Sequence, residues 1–175
     1  MLIRMLAGVL CGTLCLFNCA RAGEGDVIRV GERAPMISGV STDGSTVSLD
    51  AYKGKPILLV FFATWCGGCA QELPKIEREL QQRYKESGLV VIGVGRGAGF
   101  SELAQFKRNK GFSFTIIEDP RRQLYSKYAS DYIPRCYLIG KDGVVKYAIT
   151  GVNDYDFNQL KRKTADEMAA QTPRQ

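Results

Sequence analysis

Phe61-Phe62-Ala63-Thr64-Trp65-Cys66-Gly67-Gly68-Cys69-Ala70-Gln71-Glu72-Leu73-Pro74 is the stretch that decides the fold. Upstream, Ile57 to Phe62 (ILLVFF) is a continuous apolar run, the pattern of a strand buried on both faces. Downstream, Leu73, Ile76, Leu80 and Tyr84 recur at spacings of three and four between charges, which predicts a helix over 67–86. Cys66 and Cys69 therefore fall where a buried strand hands over to a helix. Unpaired N–H groups and a partial positive charge at a helix N-terminus stabilise a thiolate. A CxxC thiol so placed titrates in the range of about 3.5 to 7.5 instead of near 8.5. The two-residue spacer puts both sulfurs on one helical turn, close enough to form a disulfide. Cys66 is read as the exposed nucleophile and Cys69, one turn inside, as the resolving thiol. Gly67 and Gly68 allow close substrate approach while giving little helix propensity. The competing readings are a structural disulfide or half a zinc site.

Counting residues narrows these options. The chain has 175 residues, six cysteines and no histidine. Ser-His-Asp and Cys-His catalysis, His-ligated zinc or copper and CxxCH haem attachment are thereby excluded. The length suits one domain with a removable end. That end is residues 1–22: Arg4 is a short basic region, Met5 to Phe17 an apolar core without charge, and Ala20-Arg21-Ala22 an A-x-A cleavage site. Residues 23–175 are the expected folded domain. An uncleaved anchor, or a lipid on Cys19, is the competing reading; Asn18 is a poor residue before an acylated cysteine. Export implies an oxidising compartment, periplasmic or cell-envelope, where disulfides persist. Cleavage removes Cys11, Cys15 and Cys19 and leaves three cysteines, so a four-ligand zinc site has one further cysteine and no histidine to draw on. No metal site and no cofactor are expected. Losing Arg4 and Arg21 lowers the net charge from +6 to +4, with no nucleic-acid partner implied.

The remaining elements alternate. Val27 to Ala34 reads as an extended lead-in. Met36–Val40 and Thr46–Leu49 around Thr42-Asp43-Gly44 read as a hairpin. Leu89–Val94 reads as a second buried strand, Ser101–Lys110 as a helix capped by Ser101 and stopped at Gly111, and Phe114–Ile117 as a strand. Arg121–Tyr128 reads as a short helix. Pro134–Ile139 and Val144–Ile149 flank Gly140-Lys141-Asp142-Gly143 as a hairpin, and Asp154–Met168 closes the chain as a helix. The class is α/β: a mixed central sheet with helices on its faces.

These residues resemble the thioredoxin superfamily, and within it the TlpA/ResA-like thiol-disulfide oxidoreductases. Trp65-Cys66-Gly67-Gly68-Cys69 is similar to the W-C-x-x-C motif, Pro74 to the proline that kinks the active-site helix, and Tyr132-Ile133-Pro134 to the cis-proline loop. The N-terminal hairpin and the inserted strand-helix around Val90 to Gly111 look like TlpA-type additions. The resemblance implies that Pro134 is cis and packs against the disulfide, and that the Ile133 backbone binds an extended protein substrate by strand addition. Trp65 is then a flat apolar cover beside Cys66. It also implies protein disulfides as substrates, a membrane electron donor, work in the reducing direction, and cytochrome c maturation as the process.

The chain departs from that pattern in places. Val60 stands where plain thioredoxin carries a buried acid, and Arg96 where several TlpA-like proteins carry a Glu. Thiolate stabilisation is therefore expected from the helix N-terminus and Arg96, a solvated loop arginine being the competing reading. Cys136, two residues past Pro134, reads as a buried apolar filler, with a third redox thiol as the sharper reading. Gly93-Val94-Gly95-Arg96-Gly97-Ala98, with Glu118 beyond, fits the G-x-G-x-x-A dinucleotide fingerprint, but too little chain follows to build the second half of such a site. Two further classes compete: a thiol peroxidase, against which Ala63 stands where an activating Thr is needed, and a copper(I)-binding or redox-inert binding module using Cys66 and Cys69 as soft ligands.

Overall fold

The computed structural model describes residues 25–151 and 153–170; the expected export signal, with Cys11, Cys15 and Cys19, lies outside them. Strands β1 (Ser38–Val40) and β2 (Thr46–Ser48) form the N-terminal hairpin. The main sheet contains β3 (Ile57–Phe62), β4 (Val90–Arg96), β5 (Thr115–Asp119), β6 (Arg135–Ile139) and β7 (Val145–Thr150). Its order is β5-β4-β3-β6-β7; β3, β4 and β5 run parallel and β6 and β7 antiparallel to their neighbours. The β3 strand sits in the middle with all six residues buried, as its unbroken apolar run requires.

Helix α1 (Gly67–Ile76) continues through a π-turn (Glu77–Gln81) into α2 (Gln82–Tyr84). The π-turn begins three residues after Pro74, which lies inside α1 and has no N–H to donate. Helix α3 (Phe100–Lys110) follows β4, and α4 (Asp154–Ala169) follows β7. Leu73, Ile76 and Leu80 share one core with Leu103 of α3, Phe157 and Leu160 of α4, and Leu58, Val60 and Phe62 of β3. The opposite sheet face, with Leu59, Phe61, Val94 and Tyr137, is covered by Ile28, Ile37, Leu49, Tyr125 and Tyr128 from the N-terminal segment and short 3-10 turns. Among the described residues no helix is long and apolar enough to cross a membrane.

Three local expectations change. The helix expected over Arg121–Tyr128 contracts to a 3-10 turn, Tyr125–Lys127. Arg122 is left-handed (φ 59°), and the Asp119 carboxylate accepts from the N–H groups of Leu124 and Tyr125 at 3.1 and 2.8 Å, so the chain turns around that side chain. The cap of α3 is Gly99, not Ser101, and Leu103 N–H donates to the Gly99 carbonyl at 3.1 Å. Residues 27–34 form turns and isolated bridges instead of an extended lead-in, with Asp26 pairing Ala129 and Arg33 pairing Val144. Gly111 ends α3 in the left-handed region (φ 69°), as expected of a C-terminal stop.

Candidate active site

The parallel strands β3 and β4 bring their carboxyl ends to one edge of the sheet, and Cys66 and Cys69 sit just past the end of β3. They form a disulfide, with Cα atoms 5.2 Å apart. Cys66 is the N-cap of α1, and its Sγ accepts the Cys69 N–H at 3.1 Å. That bond and the first turn of the helix favour negative charge on Cys66 once the disulfide opens. Cys66 keeps 9% of its surface exposed while Cys69 keeps none, which decides the order of attack: only Cys66 can be reached. The opening to Cys66, read as the exposed thiol of the pair, is narrow. Gly67 is exposed with nothing near the place a side chain would fill, so the approach to Cys66 is open on that side.

The Ile133–Pro134 peptide bond is cis. The Ile133 carbonyl oxygen lies 3.8 Å from Cys66 Sγ, so the loop and the disulfide meet as the resemblance implies. Pro134 is buried, Ile133 half-buried, and Trp65 and Tyr132 stand out at 74% and 54% exposure. Trp65 therefore borders the site as an apolar surface open to a partner, and it is not packed into the core. Thr64 Oγ1 donates to the Glu102 carboxylate and ties the cysteine loop to α3.

Arg96 ends β4 on this same edge, half-buried, which corrects the solvated-loop alternative. Its guanidinium lies over the Tyr125 ring, 4.6 Å from the centroid. Tyr125 in turn donates its hydroxyl to the Tyr132 carbonyl at 2.8 Å, within the cis-proline loop. Burial pushes the Tyr125 hydroxyl up, so it stays a donor.

One buried acid beside the site escaped the sequence reading. Glu72, three residues after Cys69, is fully buried, and both its carboxylate oxygens lack a hydrogen-bond partner among the described residues. Burial raises its pKa to about 7, partly offset by Lys75. Val60 does stand on β3 without a carboxylate, but the acid is supplied by the helix instead. The signal was present in the spacing: Cys69, Glu72 and Ile76 lie on one helical face. Cys136 is buried and free, opposite Val60 in the β3–β6 register. Burial, with the Glu72 charge second, pushes its thiol well above the usual range, as befits a filler.

The G-x-G-x-x-A stretch has a packing cause. A side chain at Gly93 would press on Phe62, Phe114 and Ile116 at 3.1–3.3 Å, and one at Gly95 would overlap Leu103. The glycines let α3 and β5 approach β4, and Gly93 and Gly95 lie inside that strand.

A mixed sheet carrying a reachable cysteine at a helix N-terminus, a second buried one turn on, and a cis-proline carbonyl beside the first defines a thioredoxin-fold thiol-disulfide oxidoreductase. The chain belongs to the AhpC/TSA family, whose pattern matches residues 30–148, and within it sides with ResA-type proteins. It is 33% identical over 128 residues, 73% of either chain, to the thiol-disulfide oxidoreductase ResA of Geobacillus kaustophilus. Its fold matches the solution structure of a candidate protein disulfide isomerase from Bacteroides thetaiotaomicron, with a TM-score of 0.80, 29% identity, and coverage of 83% of this chain and 94% of that one. A candidate thiol:disulfide interchange protein DsbE from Chlorobium tepidum matches with a TM-score of 0.71 and 26% identity, over 81% and 99% of the two chains.

Proposed function

We propose that this enzyme is exported by its residues 1–22 and reduces disulfides in protein substrates. The observation that carries the reading is the unequal burial of the two sulfurs beside the Ile133 carbonyl. The Cys66 thiolate attacks a substrate disulfide; the substrate's S–S bond breaks, one sulfur leaves as a thiolate, and a mixed disulfide forms. The Cys69 proton passes to the Glu72 carboxylate, and the Cys69 thiolate then attacks Cys66 Sγ. The second substrate sulfur leaves, the Cys66–Cys69 disulfide closes, and two electrons have moved to the substrate. A pKa near 7 suits Glu72 to accept that proton at neutral pH. Ile133 and Pro134 hold an extended substrate segment, with Trp65 as its apolar border and Arg96 as a fixed cation favouring the Cys66 thiolate. Electrons return from a membrane donor in this reading, as the W-C-x-x-C and cis-proline motifs imply by their resemblance to TlpA/ResA-like proteins.

The test is insulin-disulfide reduction by the wild type and by Cys66→Ser, with Cys69→Ser used to trap mixed disulfides. Wild-type turnover, loss of it in Cys66→Ser and a covalent protein partner on Cys69→Ser are expected. Equal rates with and without Cys66 overturn the reading.

A further inference from the structure

Arg135 follows the cis-proline directly and is wholly buried, an unusual place for a guanidinium. Its Nε donates to the Asp131 carbonyl at 2.6 Å, inside the loop that carries Ile133. Its Nη1 pairs with the carboxylate of Asp26, itself only 5% exposed, and the Tyr137 hydroxyl donates to that same carboxylate at 3.0 Å. Asp26 comes from a strap 109 residues earlier in the chain. The strap is stitched down by Val27 N–H to the Tyr128 carbonyl (3.0 Å) and by Ser130 N–H to the Gly25 carbonyl (2.9 Å).

We propose that Arg135 is a positioning residue for substrate binding and that Asp26 completes the site by neutralising it. A buried guanidinium needs a counter-charge, and β6 and its strand neighbours supply none at that register: Phe61 and Thr150 face it. With Asp26 in place Arg135 remains under the loop and holds the Asp131 carbonyl. The Tyr125–Tyr132 bond holds the next carbonyl, and Gly151 N–H holds that of Pro134 at 2.9 Å. Three successive anchors thus flank the one carbonyl, that of Ile133, turned toward Cys66. The strap that leads into the fold is accordingly part of the peptide-binding machinery. The inference rests on the reading of Ile133 as the edge that binds an extended protein substrate.

The experiment compares steady-state reduction of insulin by the wild type, Asp26→Asn, Arg135→Lys and the double variant Asp26→Asn/Arg135→Met, with melting temperatures alongside. Asp26→Asn strands a buried charge and Arg135→Lys loses the guanidinium's reach to both partners, so each single variant loses stability as well as binding. The double variant removes both charges and keeps the volume, so its melting temperature recovers. Its KM for insulin stays raised roughly five- to tenfold, the worth of one net hydrogen bond to the substrate backbone, with kcat changed less than KM. Arg135→Lys does not rescue KM, because a single ammonium cannot span both partners. A double variant with wild-type KM, or a loss confined to kcat, overturns the inference. A wild type that fails to reduce insulin overturns the function on which it rests.

Discussion

Glu72 lies three residues beyond Cys69 on one face of α1, and neither side chain retains any exposure to solvent. A carboxylate in that position is shielded from bulk solvent and has no hydrogen-bond partner among the described residues, so it favours the neutral acid. The sign of its effect on stability follows. With a folded pKa of about 7 against 4.5 in the unfolded chain, the native state holds a proton that the unfolded state has released. Stability is full below the unfolded value and falls as pH rises toward the folded one. The loss amounts to ~3 kcal/mol between acidic and mildly alkaline conditions. Glu72→Gln removes it: urea denaturation of the oxidised protein at pH 5 and pH 8 should show the variant gaining on the wild type by about that amount. An unchanged difference between the two pH values would mean that Glu72 titrates normally.

The same carboxylate makes a kinetic prediction. Resolution of a mixed disulfide needs the Cys69 thiolate, and Cys69 has no access to solvent bases. Glu72→Gln should therefore slow release of a trapped partner at pH 7 by about 10²-fold, leaving the first attack by Cys66 much less affected. Quenched-flow separation of the two steps checks this. Equal slowing of both would point to a distorted helix instead of a lost proton acceptor.

Glu72 also shows where the sequence runs out. The Cys66–Cys69 pair and the helix after it were legible because their chemistry is local: a buried strand, a CxxC and a 3.6-residue apolar repeat. The Pro134 loop was legible through its motif. Glu72 stands among polar neighbours, Gln71 and Lys75, and drew no reading, although its spacing from Cys69 and Ile76 marks it as inward. Arg135 alternates correctly with Tyr137 and Ile139 on one face of β6, yet its burial depends on Asp26 more than a hundred residues away. No local pattern reports a partner at that separation.

Arg96 gives a prediction with two distinct outcomes. Its guanidinium is held over Tyr125, whose hydroxyl bonds the cis-proline loop beside Cys66, so Arg96→Ala removes a fixed positive charge from behind that loop. The Cys66 thiolate pKa should rise, followed by absorbance at 240 nm in the reduced protein. An identical pKa would confine Arg96 to its contact with Tyr125.

Cys136 is expected to be inert. It is 1% exposed, faces Val60 across the sheet and carries a thiol that burial holds in the protonated form. In the folded oxidised protein it should resist Ellman's reagent and react once urea unfolds the chain. Cys136→Ala should keep insulin turnover and the Cys66–Cys69 disulfide while costing roughly 1–2 kcal/mol of stability for the small cavity left behind. Altered turnover or a new disulfide pattern would make Cys136 a participant in exchange.

Packing, not nucleotide binding, accounts for the glycines that mimic a nucleotide fingerprint. A methyl group at Gly95 would overlap the buried side chain of Leu103, which has no exposed direction in which to retreat. Gly95→Ala must then lift α3 away from β4, at a cost of about 1–3 kcal/mol. Because Glu102 of α3 accepts the bond from Thr64, the displacement reaches the cysteine loop, and insulin turnover should fall with stability. If Leu103 is the obstacle, the effects of Gly95→Ala and Leu103→Ala will not add: the shortened side chain makes room for the new methyl, and the double variant loses less than the two singles together. Strict additivity in urea denaturation would place the role of Gly95 in its backbone and not in helix packing.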